Sequence, residues 1–180
     1  MTAPTSLYAA LTQRLDRADW LLPTLARFLF AAILLVYFLK SGLTKLGDGF
    51  AGILSPSVGG YAQVFPKALE AAGYDTEALG MFHYFVVLSG TWLEFILPTL
   101  IVLGFLTRLA ALGMIGFISV QSLTDIYGHG LAAEIGRWFD GLPDAIILDQ
   151  RALWVFLLLV LVIKGAGPLS FDHALKPNRN

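Results

Sequence analysis

The sequence predicts an all-α fold: a polytopic membrane protein built as a four-transmembrane-helix bundle, preceded by an interfacial amphipathic helix. Three observations predict it. Of 180 residues, 57% are hydrophobic and only 14% are charged, against about 25% charged in soluble domains. The apolar residues fall into four blocks, of a length suited to helices crossing a bilayer. The stretch ahead of the first block carries leucines on one helical face and charges elsewhere.

Residues 5–22 place Leu7, Leu11, Leu15, Ala18 and Leu22 on one face, with Gln13, Arg14, Asp16 and Arg17 on the others. Thr5 or Ser6 would cap this helix, and Pro23 follows it. Segment 1–23 is thus expected to lie on the membrane surface; docking on a soluble partner is the alternative. Asp16 and Asp19 argue against a cleavable signal peptide. The predicted spans are 24–46, 82–106, 108–127 and 153–169, within a membrane domain of 24–172 and ahead of a cytoplasmic tail at 173–180. The second and third spans meet at Leu106-Thr107, which requires a tight antiparallel hairpin. The long loops hold further expected helices at 61–72 and 132–139, with Gly59-Gly60, Gly73 and Gly141 as breaks.

Lys and Arg counts set the orientation. With the N-terminus inside, the inner side holds Arg14, Arg17, Arg27, Arg108, Lys164, Lys176 and Arg179. The outer loops hold Lys67 and Arg137, with Lys45 and Arg151 at their margins. Both termini are therefore expected in the cytoplasm. The net charge of −1 gives no hint of nucleic-acid binding, and the absence of cysteine excludes thiolate chemistry, disulfide shuttling and cysteine-ligated clusters.

Glu94 is the only formal charge in 82–106. A carboxylate at that depth costs about 2.5–3.5 kcal/mol on insertion scales, so it must be paired, neutralised or turned inward. By depth, Lys40 is its expected partner, and Lys45 that of Asp125. Arg27, Lys45 and Arg108 also suit snorkelling to headgroups. A Lys40–Glu94 pair reads equally as a helix lock or as a functional site. Read as a site, Glu94 and Lys40 are the catalytic candidates, and Tyr37, Trp92, Gln121 and Asp125 the cofactor-binding ones. Together they offer the hydrogen-bonding groups, flat walls and nearby acid that a quinone headgroup needs. A weaker alternative is a metal site from His83, Asp125 and His129, with Glu134 close in sequence.

Several motifs resemble those of the DoxX family of small bacterial and archaeal membrane proteins. Arg27 opens the first span, and Gly42-Leu43-Thr44-Lys45 closes it. Gly90-Thr91-Trp92-Leu93-Glu94 fits a Gly-x-x-x-Glu in the second. Leu103-Gly104-Phe105-Leu106-Thr107-Arg108 joins the second and third, and Gly165-Ala166-Gly167 leads to Ser170 and Asp172 at the end. The likeness covers about 27–172; the long outer loops are less family-like. It implies a four-helix bundle in a prokaryotic inner membrane. Some relatives are membrane subunits of thiosulfate:quinone oxidoreductases, and others are linked to redox and thiol-stress complexes. The expected function is a membrane subunit of a redox system, binding quinone or anchoring a partner protein that reduces one. The alternatives are a non-catalytic assembly or scaffold subunit of a larger membrane complex and a small-solute or metal-handling transporter. The expected partners are the lipid bilayer and either a redox partner protein or further copies of the chain in a homo-oligomer.

Overall fold

The computed structural model describes residues 3–176; Arg179 and the end of the predicted tail lie outside them. The described secondary structure is helical. Helix α1 runs Ala3–Arg17, with Leu7, Leu11 and Leu15 all exposed. It ends five residues before its predicted end, because a turn at 18–20 intervenes. Pro23 does not follow this helix. It sits in the first turn of the next, where a missing N–H costs nothing.

Three helices are long and apolar enough to cross a membrane: α2 (Leu21–Leu43), α5 (Met81–Leu103) and α6 (Thr107–Gly128). Between them lie α3 (Val58–Val64) and α4 (Pro66–Ala71). After α6 come α7 (Gln150–Lys164) and α8 (Phe171–Ala174). Helix α7 has 15 residues, short of the roughly 20 of a usual span. Its predicted extension to 169 fails because Gly165, at φ 83°, turns the chain out of the helix. Segment 132–139 forms only a 3-10 turn at Ala132–Glu134. Gly59 and Gly60, expected to break structure, lie inside α3, whose first turn is closed by Gly60 N donating to Ser57 Oγ.

Helices α2, α5, α6 and α7 pack in a closed ring, each against two neighbours. Phe30, Leu34, Phe38, Ile101, Met114, Ile118, Leu158 and Leu161 fill its centre. Only 22–33% of each of the three apolar windows is buried within the protein, so most of their apolar surface needs a non-aqueous surrounding. On α2 the buried residues step by four: Ala26, Phe30, Leu34, Phe38, Gly42. In an α-helix each such step overshoots a full turn by about 40°. A π-helical turn at Ala31–Leu35 widens the helix midway and holds that stripe on the core. Gly42 ends it at a close approach, since a Cβ there would lie 2.7 Å from the Phe95 ring.

One end of the ring is closed by a polar knot. Arg27 donates to the carbonyls of Ile101 and Val102 at the end of α5, and of Ala166 and Leu169 after α7. Val102 is one of the last carbonyls of α5, which the helix leaves without an intrahelical donor, and Ala166 and Leu169 lie in the segment after α7. Gly104, at φ 70°, turns α5 into α6; a Cβ there would lie 2.9 Å from Arg27 Cζ. The Asp172 carboxylate then accepts from the backbone N–H groups of Leu106 and Thr107, capping α6. So the three most widely separated motifs of the sequence meet at one place.

Burial alone would raise the Asp172 carboxyl. The hydrogen bonds from Thr107 and Leu106 and the Arg27 charge outweigh it and hold the group below its usual range. Its folded pKa is thus lower than its unfolded one. The stabilisation it brings is present above about pH 4 and is lost as pH falls through the folded value. Thermal melts of wild type and Asp172→Asn in detergent should therefore differ at pH 6, with wild type higher, and converge below about pH 4. A gap independent of pH contradicts this.

Candidate functional site

Glu94 is buried, but its partner is Lys45, not Lys40. Lys45 Nζ donates to Glu94 Oε2 at 2.9 Å and Oε1 at 3.1 Å. Ser41 Oγ donates to Oε1 at 2.9 Å and lies 2.8 Å from Lys45 Nζ. The side chains of Lys45 and Glu94 are 7% and 3% exposed. Depth alone favoured Lys40, but azimuth decides. Lys40 and Lys45 are five residues apart, about 140° around the helix. Gly42 and Lys45 continue the buried face, while Lys40 is exposed near the last turn of α2, where it can snorkel.

Asp125 likewise pairs with Arg151 rather than Lys45. It lies in a π-helical turn at Thr124–Gly128 that ends α6. Arg151, at the start of α7, also donates to Ser122 Oγ at 2.9 Å. The loop between α6 and α7 brings this arginine back, and no periodicity in the spans signals that.

Between α5 and α6 the ring leaves a cavity of about 430 Å³. Glu94, Lys45 and Ser41 stand on one wall; Gln121, Asp125 and His129 lie toward the loop side. Val86, Leu93, Phe117 and Val120 make apolar walls. Gln63 and Val64 of α3 complete it, with His129 Nε2 3.0 Å from the Gln63 carbonyl. The space exists because small residues line it: a Cβ at Gly90 or Gly116 would meet nothing within 4 Å. Ser89, Leu93, Gly113, Gly116 and Val120 are also exposed, so the cavity opens sideways onto the apolar outer surface. Pro98 adds a local feature, since it removes the helical donor that the Glu94 carbonyl would otherwise use.

The other candidates divide. Glu94, Gln121, Asp125 and Gly90 line the cavity, as does Lys45. Tyr37 and Trp92 do not. The Tyr37 hydroxyl accepts from Gln121 Nε2 at 2.9 Å, and Trp92 Nε1 donates to the Ile53 carbonyl at 3.0 Å. The second amide atom of Gln121, Oε1, is buried with no partner. Turning the amide over leaves the nitrogen in that position instead, so one polar atom is unpartnered either way. His83 packs on Phe65, and among the described residues no three His, Asp or Glu side chains gather as for a metal. The His83–Asp125–His129 site is not assembled. Sequence reading missed Ser41, Ser89, Gly113 and Gly116; only the small-residue spacing on α5 and α6 could have signalled the gap.

Truncating one partner of a buried ion pair strands the other charge, at a cost of about 3–5 kcal/mol. Lys45→Met should therefore lower thermal stability strongly. Adding Glu94→Gln to Lys45→Met should restore most of it, in a double-mutant cycle read by melting in detergent. Additive losses would show that the two groups do not interact.

A family model described as DoxX matches residues 22–124, more than half of the chain. The match takes in α2, α5 and most of α6, and with them Arg27, Lys45, Gly90, Glu94 and Gln121. The terminal motif at Gly165, Gly167 and Asp172 lies beyond it. No curated protein and no solved structure matches the chain. The chain is a multi-pass membrane protein that belongs to the DoxX family.

Proposed function

We propose that this chain is an integral-membrane subunit of a redox system, and that the cavity between α5 and α6 receives a quinone headgroup. The observation that carries the reading is the position of a buried carboxylate–ammonium pair on the wall of a cavity open to lipid. Its volume is in the range of small-molecule pockets. A headgroup entering from the bilayer would have apolar walls for its ring and its isoprenoid tail left in lipid. Its two oxygens would meet Gln121 and the Glu94–Lys45–Ser41 group. In this reading Glu94 is the acid beside the ring oxygen, Lys45 holds its charge, and Asp125 is fixed by Arg151 at the cavity's far end. Lys40 takes no part.

The topology proposed with it has α7 as a fourth span and α1 on the membrane surface. Both termini lie in the cytoplasm of a prokaryotic cell, with the Arg27 end inward. The pairing of charges supports that orientation. Lys45 and Arg151, at the opposite end, are held in buried or half-buried ion pairs, which leaves Lys40, Lys67 and Arg137 as that end's other basic residues. The Arg27 end has Arg14, Arg17, Arg108, Lys164 and Lys176.

A second reading rests on the same small residues. Ser89, Gly90, Gly113 and Gly116 are also what a helix–helix contact in a membrane uses, so the gap also fits a helix of a partner subunit.

Quinone titration of the purified protein separates the two. Saturable binding is expected, weakened about tenfold or more by Glu94→Gln, as for loss of one charge-assisted hydrogen bond. Gly116→Leu should abolish it by filling the cavity, while Gly116→Ala stays folded. The absence of both co-purifying quinone and saturable binding contradicts the quinone reading.

A further inference from the structure

A second cavity, of about 650 Å³, lies at the Arg27 end, between the starts of α2 and α6 and the end of α7. Arg108, Lys164, Lys176 and His173 line it, together with the apolar side chains of Leu106 and Leu109, and Trp20. Its acidic groups are Asp19 and Asp172. Asp172 is engaged: both its oxygens accept backbone N–H groups of α6, and Arg27 is close by. Asp19 pairs with Lys164 at 2.8 Å, but their side chains are 64% and 39% exposed, and such surface pairs are weak. Arg108 takes no part in the ion pairs found among the described residues. Its side chain runs past Gly165, where a Cβ would lie 3.5 Å from Nε. The cleft therefore presents an excess of cationic groups.

We propose that this cleft binds the phosphate of an anionic phospholipid. Three features point to lipid rather than to a free anion. Helices α2 and α6, two of the apolar spans, both begin here, so the cleft sits at the headgroup level. Its lining is amphiphilic: Leu106 and Leu109 are exposed beside Arg108, so a phosphate and the top of an acyl chain are contacted together. The indole of Trp20 suits the same interfacial depth. Basic pockets between span ends bind acidic headgroups through this combination. Arg108 offers a planar fork for two phosphate oxygens, and Lys164 and Lys176 offer point charges. A lipid held here would bridge α2, α6 and α7 just outside the Arg27 knot. The proposal does not depend on what occupies the other cavity.

The test is binding of phosphatidylglycerol to the full chain in neutral detergent, measured by thermal shift and native mass spectrometry. Phosphatidylcholine and inorganic phosphate are the comparisons. Phosphatidylglycerol should be retained and should raise the melting temperature, with little effect from the other two. Arg108→Gln should weaken its apparent affinity about tenfold, as expected for one charge-assisted hydrogen bond. Lys176→Gln, at an exposed position at the end of the fold, should weaken it without lowering the lipid-free melting temperature. Equal effects of the two lipids, an equal effect of inorganic phosphate, or unchanged phosphatidylglycerol binding in both variants would overturn the proposal.

Discussion

The fold is organised by the need to satisfy charge inside an apolar bundle, and the Glu94–Lys45 pair is where that constraint is tightest. A lone carboxylate at Glu94 would be expelled or neutralised. Lys45 and Ser41 let it stay, and in doing so they fix how α2 meets α5. Gly42 permits the approach, with the Phe95 ring against its bare Cα. Buried ion pairs rarely improve stability over a well-packed apolar substitute. This pair stands on a cavity wall, not in a sealed core, and the proposed quinone site would give it a use that packing alone does not.

The cavity follows from how the two ends of the ring differ. At the Arg27 end, four carbonyls converge on one guanidinium and Asp172 caps the next helix. That knot holds the α5–α6 hairpin closed. Toward the other end, Ser89, Gly90, Gly113 and Gly116 supply too little side chain to fill the space between the helices. Helix α3 and His129 close the gap above, while its side stays open to lipid. A rigid closed end with a partly open one gives a pocket reachable by a lipophilic molecule.

Much of this was legible in the sequence. Hydrophobic blocks located the three long helices to within a few residues, and the rise per residue placed Glu94 inside the bundle. Pairing by depth failed twice, at Lys40 and at Asp125. Depth fixes one coordinate of a helical side chain, and its azimuth fixes the other. The stripe Phe30, Leu34, Phe38, Gly42 would have put Lys45 on the core and Lys40 off it. Arg151 was out of reach, because a loop sets its return to Asp125. Gly59 and Gly60 misled because a capping serine outweighs glycine's weak helix propensity over one short turn. The motif residues Arg27, Gly104 and Asp172 were picked out by resemblance, but their shared purpose appears only when the carbonyls they serve are seen together.

The Glu94–Lys45 pair, as proposed, faces a ligand site entered from the bilayer. A density map of the protein extracted from its own membrane into nanodiscs tests it most directly. The expected result is a flat head in the cavity beside Glu94 and Gln121, with a tail leaving between α5 and α6 past Gly116. A cavity filled by a neighbouring helix, or by an acyl chain with no head at Glu94, would contradict it.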